Sequence, residues 1–149
     1  MGNLMSDNQI AYLLDPEIAT IRKVQLSTVN FYKSIKLALG HDVVDCTKFD
    51  EKHLIFFDDN GLKEGITHYV SIKSLPDPYV GKIIFAAGNI EWTAPKISMS
   101  DILKRLTCYH SVLDPIVETS ARTHGNVTSY ISAVAGFKAR IVPFEIKIQ

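Results

Sequence analysis

Five histidines, two cysteines and one short acidic run are the residues of this chain best suited to chemistry. His41, His53, His68, His110 and His124 include no pair four residues apart and no HExxH, so the sequence offers no helical zinc pair. Asp58-Asp59-Asn60-Gly61 has the carboxylates of a calcium loop, but Gly61 comes two positions too early and Tyr69 stands where the bidentate Glu belongs; the run reads as a turn. A phosphoesterase built on two H-x-[ST] segments fails at His68, which is followed by Tyr69-Val70-Ser71. Cys108 and His110 are two residues apart and, on the helix expected there, point away from each other. Cys46, beside Val44 in an expected strand, reads as a small core residue, and both thiols are expected buried and free. Neither GxGxxG, GxxxxGK[ST] nor GxSxG occurs. No catalytic residue, metal or cofactor is assigned, and the balance leans away from an enzyme.

Two sets of residues remain as candidate binding sites. His68, Tyr69, Tyr79 and Trp92 flank the loop Leu75-Pro76-Asp77-Pro78 and would serve a small-molecule or recognition pocket. Lys96, Lys104, Arg105, Arg122, Lys138 and Arg140 would serve a nucleic acid if they shared one face. Overall charge gives that second idea no help: Lys+Arg and Asp+Glu are both 16, so the formal net charge is zero. Its only support is the excess of basic over acidic groups in 96–149.

The elements that must position these side chains follow from pattern. An apolar run from Ile10 to Leu14, the turn Asp15-Pro16-Glu17 and a second run over 18–26 predict a hairpin. Ser27 or Thr28 can cap a helix that carries Phe31, Ile35 and Leu39 at helical spacing and stops at Gly40. Strands are expected over 43–49, 53–58 (central, from its continuous Leu54-Ile55-Phe56-Phe57), 68–72 and 80–87, with Gly81 marking a bulge or close approach, and the sheet core ends near Trp92. Ser98 and Asp101 form a capping box for a second helix reaching about Leu113, and 116–122 suits a short third helix. His124-Gly125-Asn126 reads as a turn, 127–134 fits strand or helix equally, and Phe144, Ile146 and Ile148 alternate as a half-buried strand. The expectation is an α+β fold: a mixed or antiparallel sheet of about five to six strands with two to three helices packed on it. It forms one domain over 1–149, with a core at 10–95 and a C-terminal elaboration at 96–149. Without a signal-like N-terminus or a long apolar stretch, the chain is expected in the cytoplasm.

Tyr12-Leu13-Leu14-Asp15-Pro16, a first helix ending at Leu39-Gly40, Val43-Val44-Asp45, the strand and turn from Leu54 to Leu62, and Val80-Gly81-Lys82-Ile83-Ile84-Phe85 resemble an uncharacterised family of phages and mobile elements, domain of unknown function 3846. The likeness covers about residues 10–95. It departs where that family has a Pro and an Asn-Arg step and this chain has Gly65-Ile66-Thr67-His68-Tyr69, and it leaves 96–149 as an elaboration specific to this protein. The resemblance implies a small accessory protein of a phage or integrated element in a bacterial cytoplasm. Taken with the lack of a catalytic constellation, it favours a non-enzymatic protein that binds a host protein, for instance in counter-defence. The alternatives are a small-molecule-binding or sequestering protein or enzyme at His68–Trp92, and a nucleic-acid binder using the basic half. No membrane contact is expected, and the terminal strand offers an edge for homo-oligomerisation.

Overall fold

The computed structural model describes residues 8–58, 68–88 and 92–149, and the chain forms two compact units, Met1–His110 with Pro143–Gln149, and Ser111–Val142. The expected turn at Asp59-Asn60-Gly61 and most of the Gly65–Tyr69 step lie outside the described residues.

In the first unit, β1 (Asn8–Asp15) and β2 (Thr20–Ser27) form the antiparallel hairpin that the sequence predicts, in full register from Asn8 opposite Ser27 to Asp15 opposite Thr20. Helix α1 (Phe31–Leu39) follows and ends at Gly40, whose φ of 74° lies in the left-handed region that only glycine enters cheaply; its N–H returns to the Lys36 carbonyl. The N-terminal cap differs from expectation: Asn30 takes the cap position without a side-chain bond, while the Ser27 hydroxyl accepts from the Asn30 N–H one turn earlier. Strands β3 (Val44–Lys48), β4 (His53–Asp58), β5 (His68–Ile72), β6 (Ile83–Gly88) and β7 (Trp92–Thr93) come next. Gly81, with φ of 86°, precedes β6 rather than bulging it. A short helix α2 (Met99–Leu103) leads into β8 (Leu106–His124), β9 (Val127–Phe144) and β10 (Lys147–Ile148).

The main sheet has the order β10-β2-β1-β6-β4-β3, with β7 on β6; every pair is antiparallel except β10 on β2. Its central strands carry unbroken apolar runs, Ile10–Leu14 in β1, Leu54–Phe57 in β4 and Ile83–Ala87 in β6, because both faces are covered. Leu14, Ile21, Ile55, Ile83 and Phe85 bury against Val70, Ile72, Ile102, Leu106 and Cys108 from β5, α2 and the start of β8. Their neighbours Leu13, Phe56, Ile84 and Ala86 bury on the other side against Phe31, Ile35 and Leu39 of α1. Strand alternation thus feeds two cores at once.

The α+β expectation is overturned. Among the described residues there are ten strands and only two short helices, of 9 and 5 residues, and the fold is nearly all β. The Ser98 cap is real, its hydroxyl accepting from the Asp101 N–H, but the helix stops at Leu103. Leu106 and Cys108 then bury on alternate positions opposite Ile72 and Val70 of β5, a period of two that a helix cannot satisfy. The third helix expected at 116–122 is likewise strand, and the ambiguous 127–134 stretch is strand as well. The expected terminal strand shrinks to Lys147 and Ile148, tied to β2 by the Lys147 N–H on the Ala19 carbonyl and the Gln149 N–H on the Ile21 carbonyl.

In the second unit, β8 and β9 form a ribbon closed by Gly125 and Asn126. Gly125 has φ of 60° and Asn126 a negative φ, which fits a two-residue turn with glycine first. Thr123 pairs its hydroxyl with Thr128 at 3.2 Å, and Thr119 with Ser132 at 2.9 Å, placing each pair on one face of an antiparallel ladder.

Phe56 lies between Phe31 and Trp92, with ring centroids at 5.6 and 5.8 Å, whereas Phe137 in the ribbon is 63% exposed. Phe56→Ala is expected to cost about 3–5 kcal/mol, and Phe137→Ala less than about 0.5 kcal/mol, in urea unfolding followed by Trp92 fluorescence.

Candidate functional site

The groups best suited to catalysis are already bonded. Cys108 and His110, expected to diverge on a helix, share one face of strand β8, and both reach the Pro16 carbonyl at the β1–β2 turn. The Cys108 thiol donates at 3.4 Å and the His110 Nε2–H at 2.6 Å. The two side chains therefore converge on a backbone acceptor and not on each other. Burial, assisted by the negative charge of Asp15, pushes the Cys108 thiol up to about 11, so it stays protonated at neutral pH and is no nucleophile. Cys46, by contrast, is exposed, which corrects the expectation of a core residue: among the described residues β3 is the outermost strand of the sheet, with β4 as its one neighbour.

A second pair has the look of an acid–base dyad. Buried His53 contacts Asp50 through Nδ1 at 2.8 Å, while its Nε2 accepts the Lys96 backbone N–H at 2.9 Å. Because Nε2 accepts, the ring proton sits on Nδ1 and is donated to Asp50. Both nitrogens are occupied, and the imidazole serves to tie the β3–β4 turn to residue 96. Partial burial works to raise the Asp50 pKa, but hydrogen bonds from the Lys52 N–H and the His53 ring and backbone outweigh it and hold the carboxyl below its ordinary value. Arg105 closes the same corner, its guanidinium 4.3 Å over the Phe49 ring and 3.9 Å from Asp50.

The four residues expected to line a pocket are not brought together. His68 pairs across the strands with His110, and Tyr69 stacks on Tyr109 at 4.9 Å on the opposite side of β5. Tyr79 packs on Phe57 at 4.6 Å on the β5 side of the main sheet. Trp92 stacks on Phe31 at 3.8 Å on the α1 side. The sheet itself separates Trp92 from Tyr79. Tyr79 lines an open cleft, about 350 Å³, together with Asp45, Cys46, Asp58 and Asp77. Burial, then Asp77 and Asp45, raise the Tyr79 pKa, so the phenol remains a donor at neutral pH. Among the described residues no cluster of three or more His, Cys, Asp or Glu is placed to hold a metal.

The basic set also divides. Lys96, Lys104 and Arg105 belong to the first unit, and Arg122, Lys138 and Arg140 to the second. Lys104 is paired with Asp101, Arg105 with Asp50, and Arg140 with Asp114. No helix among the described residues is long and apolar enough to cross a membrane.

Residue types taken singly do not mark out the ribbon Ser111–Val142. None of its residues is buried, yet it carries Leu113, Ile116, Val117, Val127, Tyr130, Ile131, Val134, Phe137 and Ile141, each between 47% and 73% exposed. At about 100 Å² apiece these side chains present roughly 900 Å² of apolar surface, about 450 Å² on each of the two faces, the size of the largest apolar patch on a typical monomer, about 300–600 Å² and often functional. The available signal was the β-branched run on either side of Gly125-Asn126, a two-residue hairpin turn.

No family model matches the chain, and no solved structure matches it. Among curated proteins it is similar to the uncharacterized protein y4iR of Sinorhizobium fredii (strain NBRC 101917 / NGR234), with 34% identity over 134 residues, 89% of this chain and 83% of that one. The chain belongs to the y4iR family. Protein PsiB of Rhizobium leguminosarum bv. phaseoli is a more distant relative, 26% identical over 124 residues, covering 82% of this chain and 92% of its own. Since the y4iR match takes in 134 of the 149 residues, it must run into the ribbon, and part of the 96–149 segment is shared with y4iR.

Two outcomes follow from the bonded groups. With Ellman's reagent at pH 8, one thiol per chain, Cys46, should react in the folded protein, and Cys108 only after unfolding; rapid reaction of both would contradict the placement of Cys108. Asp50→Asn should cost about 1–2 kcal/mol at pH 7. A depressed carboxyl stabilises above its unfolded pKa of about 3.9 and loses that contribution as pH falls through the lower folded value, so the gap between variant and wild type should close below about pH 4 in urea titrations.

Proposed function

We propose that this chain is a non-enzymatic accessory protein that acts in a bacterial cytoplasm by binding a host protein, and that the faces of the Ser111–Val142 ribbon are its contact surface. The observation that carries the reading is the ribbon's nine large apolar side chains, all exposed and none buried within the chain. A two-stranded ribbon is marginal in water without something to pack against. Each face carries an apolar patch as large as the largest on a typical monomer, and patches of that size are often functional.

The setting is supported by the two relatives, both bacterial, and by the resemblance of residues 10–95 to the phage and mobile-element family, which makes carriage on such an element part of the proposal. A small-molecule function at His68, Tyr69, Tyr79 and Trp92 loses its geometric basis, since the sheet divides that set.

The test is affinity capture with the tagged full-length chain from lysate of its bacterial host, with native mass spectrometry of the eluate, in parallel with the variant Val117→Thr/Tyr130→Ser/Val134→Thr. These three exposed residues share the face marked by the Thr119–Ser132 contact. A stoichiometric host protein retained by the wild type and reduced at least tenfold with the variant, at unchanged melting temperature, is expected. Equal capture by both, or a bound metabolite in place of a protein, would count against the reading.

A further inference from the structure

The ribbon has an edge as well as faces. Strand β5 pairs with β8 from Leu106 to His110, and further along the same side of β8 residues 117–123 have no strand partner among the described residues. Pro115 interrupts the open edge; past it, residues 116–124 contain neither Pro nor Gly.

The phase of this edge follows from the turn. A two-residue turn makes His124 and Val127 the closing hydrogen-bonded pair, after which hydrogen-bonded and non-hydrogen-bonded pairs alternate. The hydroxyl contacts of Thr123 with Thr128 and of Thr119 with Ser132 fall on the non-hydrogen-bonded positions, where opposed side chains lie closest. The odd-numbered residues 117–123 therefore direct their N–H and C=O groups away from β9, toward the open edge. Pro115 shares that phase, where its missing N–H costs the ladder nothing.

We propose that this edge pairs with the same edge of a second copy of the chain, antiparallel about a twofold axis at Ser120. Glu118 and Arg122 identify the partner. They lie on one face of one strand, about 13 Å apart in extended chain, too far to meet within the chain. Neither has an ion-pair partner among the described residues. Antiparallel self-pairing centred on Ser120 sets Glu118 opposite the partner's Arg122 and Arg122 opposite the partner's Glu118, two complementary cross-strand pairs from one symmetric contact. The same register lets residues 117 and 119 exchange backbone bonds with the partner's 123 and 121, which is the outward phase just derived. Centring on Glu118 would oppose that carboxylate to its own copy. The outer edge of β9 offers no counterpart, because Lys138 and Arg140 are both basic. The product is a continuous four-stranded sheet, β9-β8-β8-β9, with longer faces than one ribbon has.

This contact uses the edge of the ribbon and not the faces assigned to a host protein, so the two proposals fail separately. Analytical ultracentrifugation of the full-length chain from about 1 to 100 μM should show a dimer. Glu118→Arg and Arg122→Glu, each opposing like charges twice, should each weaken it by at least roughly tenfold, and the double exchange should restore it. Oxidation of Ser120→Cys in a Cys46→Ser background should give a disulfide-linked dimer, since only at the axis does a residue face its own copy. A monomer at all concentrations, single exchanges without effect, a double exchange without rescue, or no disulfide would each overturn the proposal. A monomer that still captures a host protein leaves the accessory function standing, and a dimer that captures none leaves this contact standing.

Discussion

One sheet serving two hydrophobic cores is the constraint on which the first unit depends. Leu13 and Leu14 of β1, Ile55 and Phe56 of β4, and Ile83 to Ala86 of β6 pass alternate side chains to opposite faces, and every one is 3% exposed or less. With both faces buried, a one-residue slip would not expose apolar side chains to water as it would in a one-sided sheet. It would exchange the small set facing α1, which includes Ala11 and Ala86, for the bulkier set facing β5 and α2. Register is thus held by shape: Phe56 fits among Phe31 and Trp92, and Phe85 meets Phe49 edge-on at 5.2 Å on the far side.

The polar groups that a search for chemistry selects are the ones that join these layers. The Pro16 carbonyl receives Cys108 and His110, so the tip of the first hairpin is held to β8. His53 links Asp50 to the backbone at Lys96, and Arg105 spans Phe49 and Asp50 from the start of β8. Buried polar atoms must find partners, and here the partners are backbone groups at turns, where regular ladders leave donors and acceptors unpaired. An imidazole with both nitrogens engaged and a thiol raised by burial are what this structural duty produces.

Legibility in the sequence followed the range of the interactions. Gly40 ends α1 through its own φ, and the Leu54-to-Phe57 run marks an interior strand by itself; both are local facts. The segment after Ser98 shows where local reading fails. Its cap is genuine, but Ile102, Leu103, Leu106 and Tyr109 fit a helical face as well as they fit a turn followed by a strand. The choice is made by β5, a strand more than thirty positions away whose Val70 and Ile72 meet Cys108 and Leu106. Residue types also left the side of the sheet open: Tyr79 and Trp92 are close in sequence, yet they pack on opposite faces of the main sheet. Cys46 is exposed because β3 ended up at the sheet edge, which no property of the residue announces.

The ribbon inverts the logic of the first unit. There, apolar residues on strands are consumed in pairs of facing layers; here, Val117, Tyr130 and Val134 on one face and Ile116 and Ile131 on the other have no layer within their own unit to meet. Burial of apolar area contributes about 25 cal/mol per Å², so a ribbon that keeps such residues in water forgoes the main source of stability open to it. What it retains is backbone pairing, a few hydroxyl contacts and the Asp114–Arg140 pair, interactions of modest net worth at a surface. A sequence serving only solubility or linkage would place threonine, lysine and glutamate there, as natural sheets do to protect exposed edges. Instead, branched and aromatic residues occupy both faces, with one acid and one base spaced for a neighbouring strand, and this is the composition on which the proposed contacts rest.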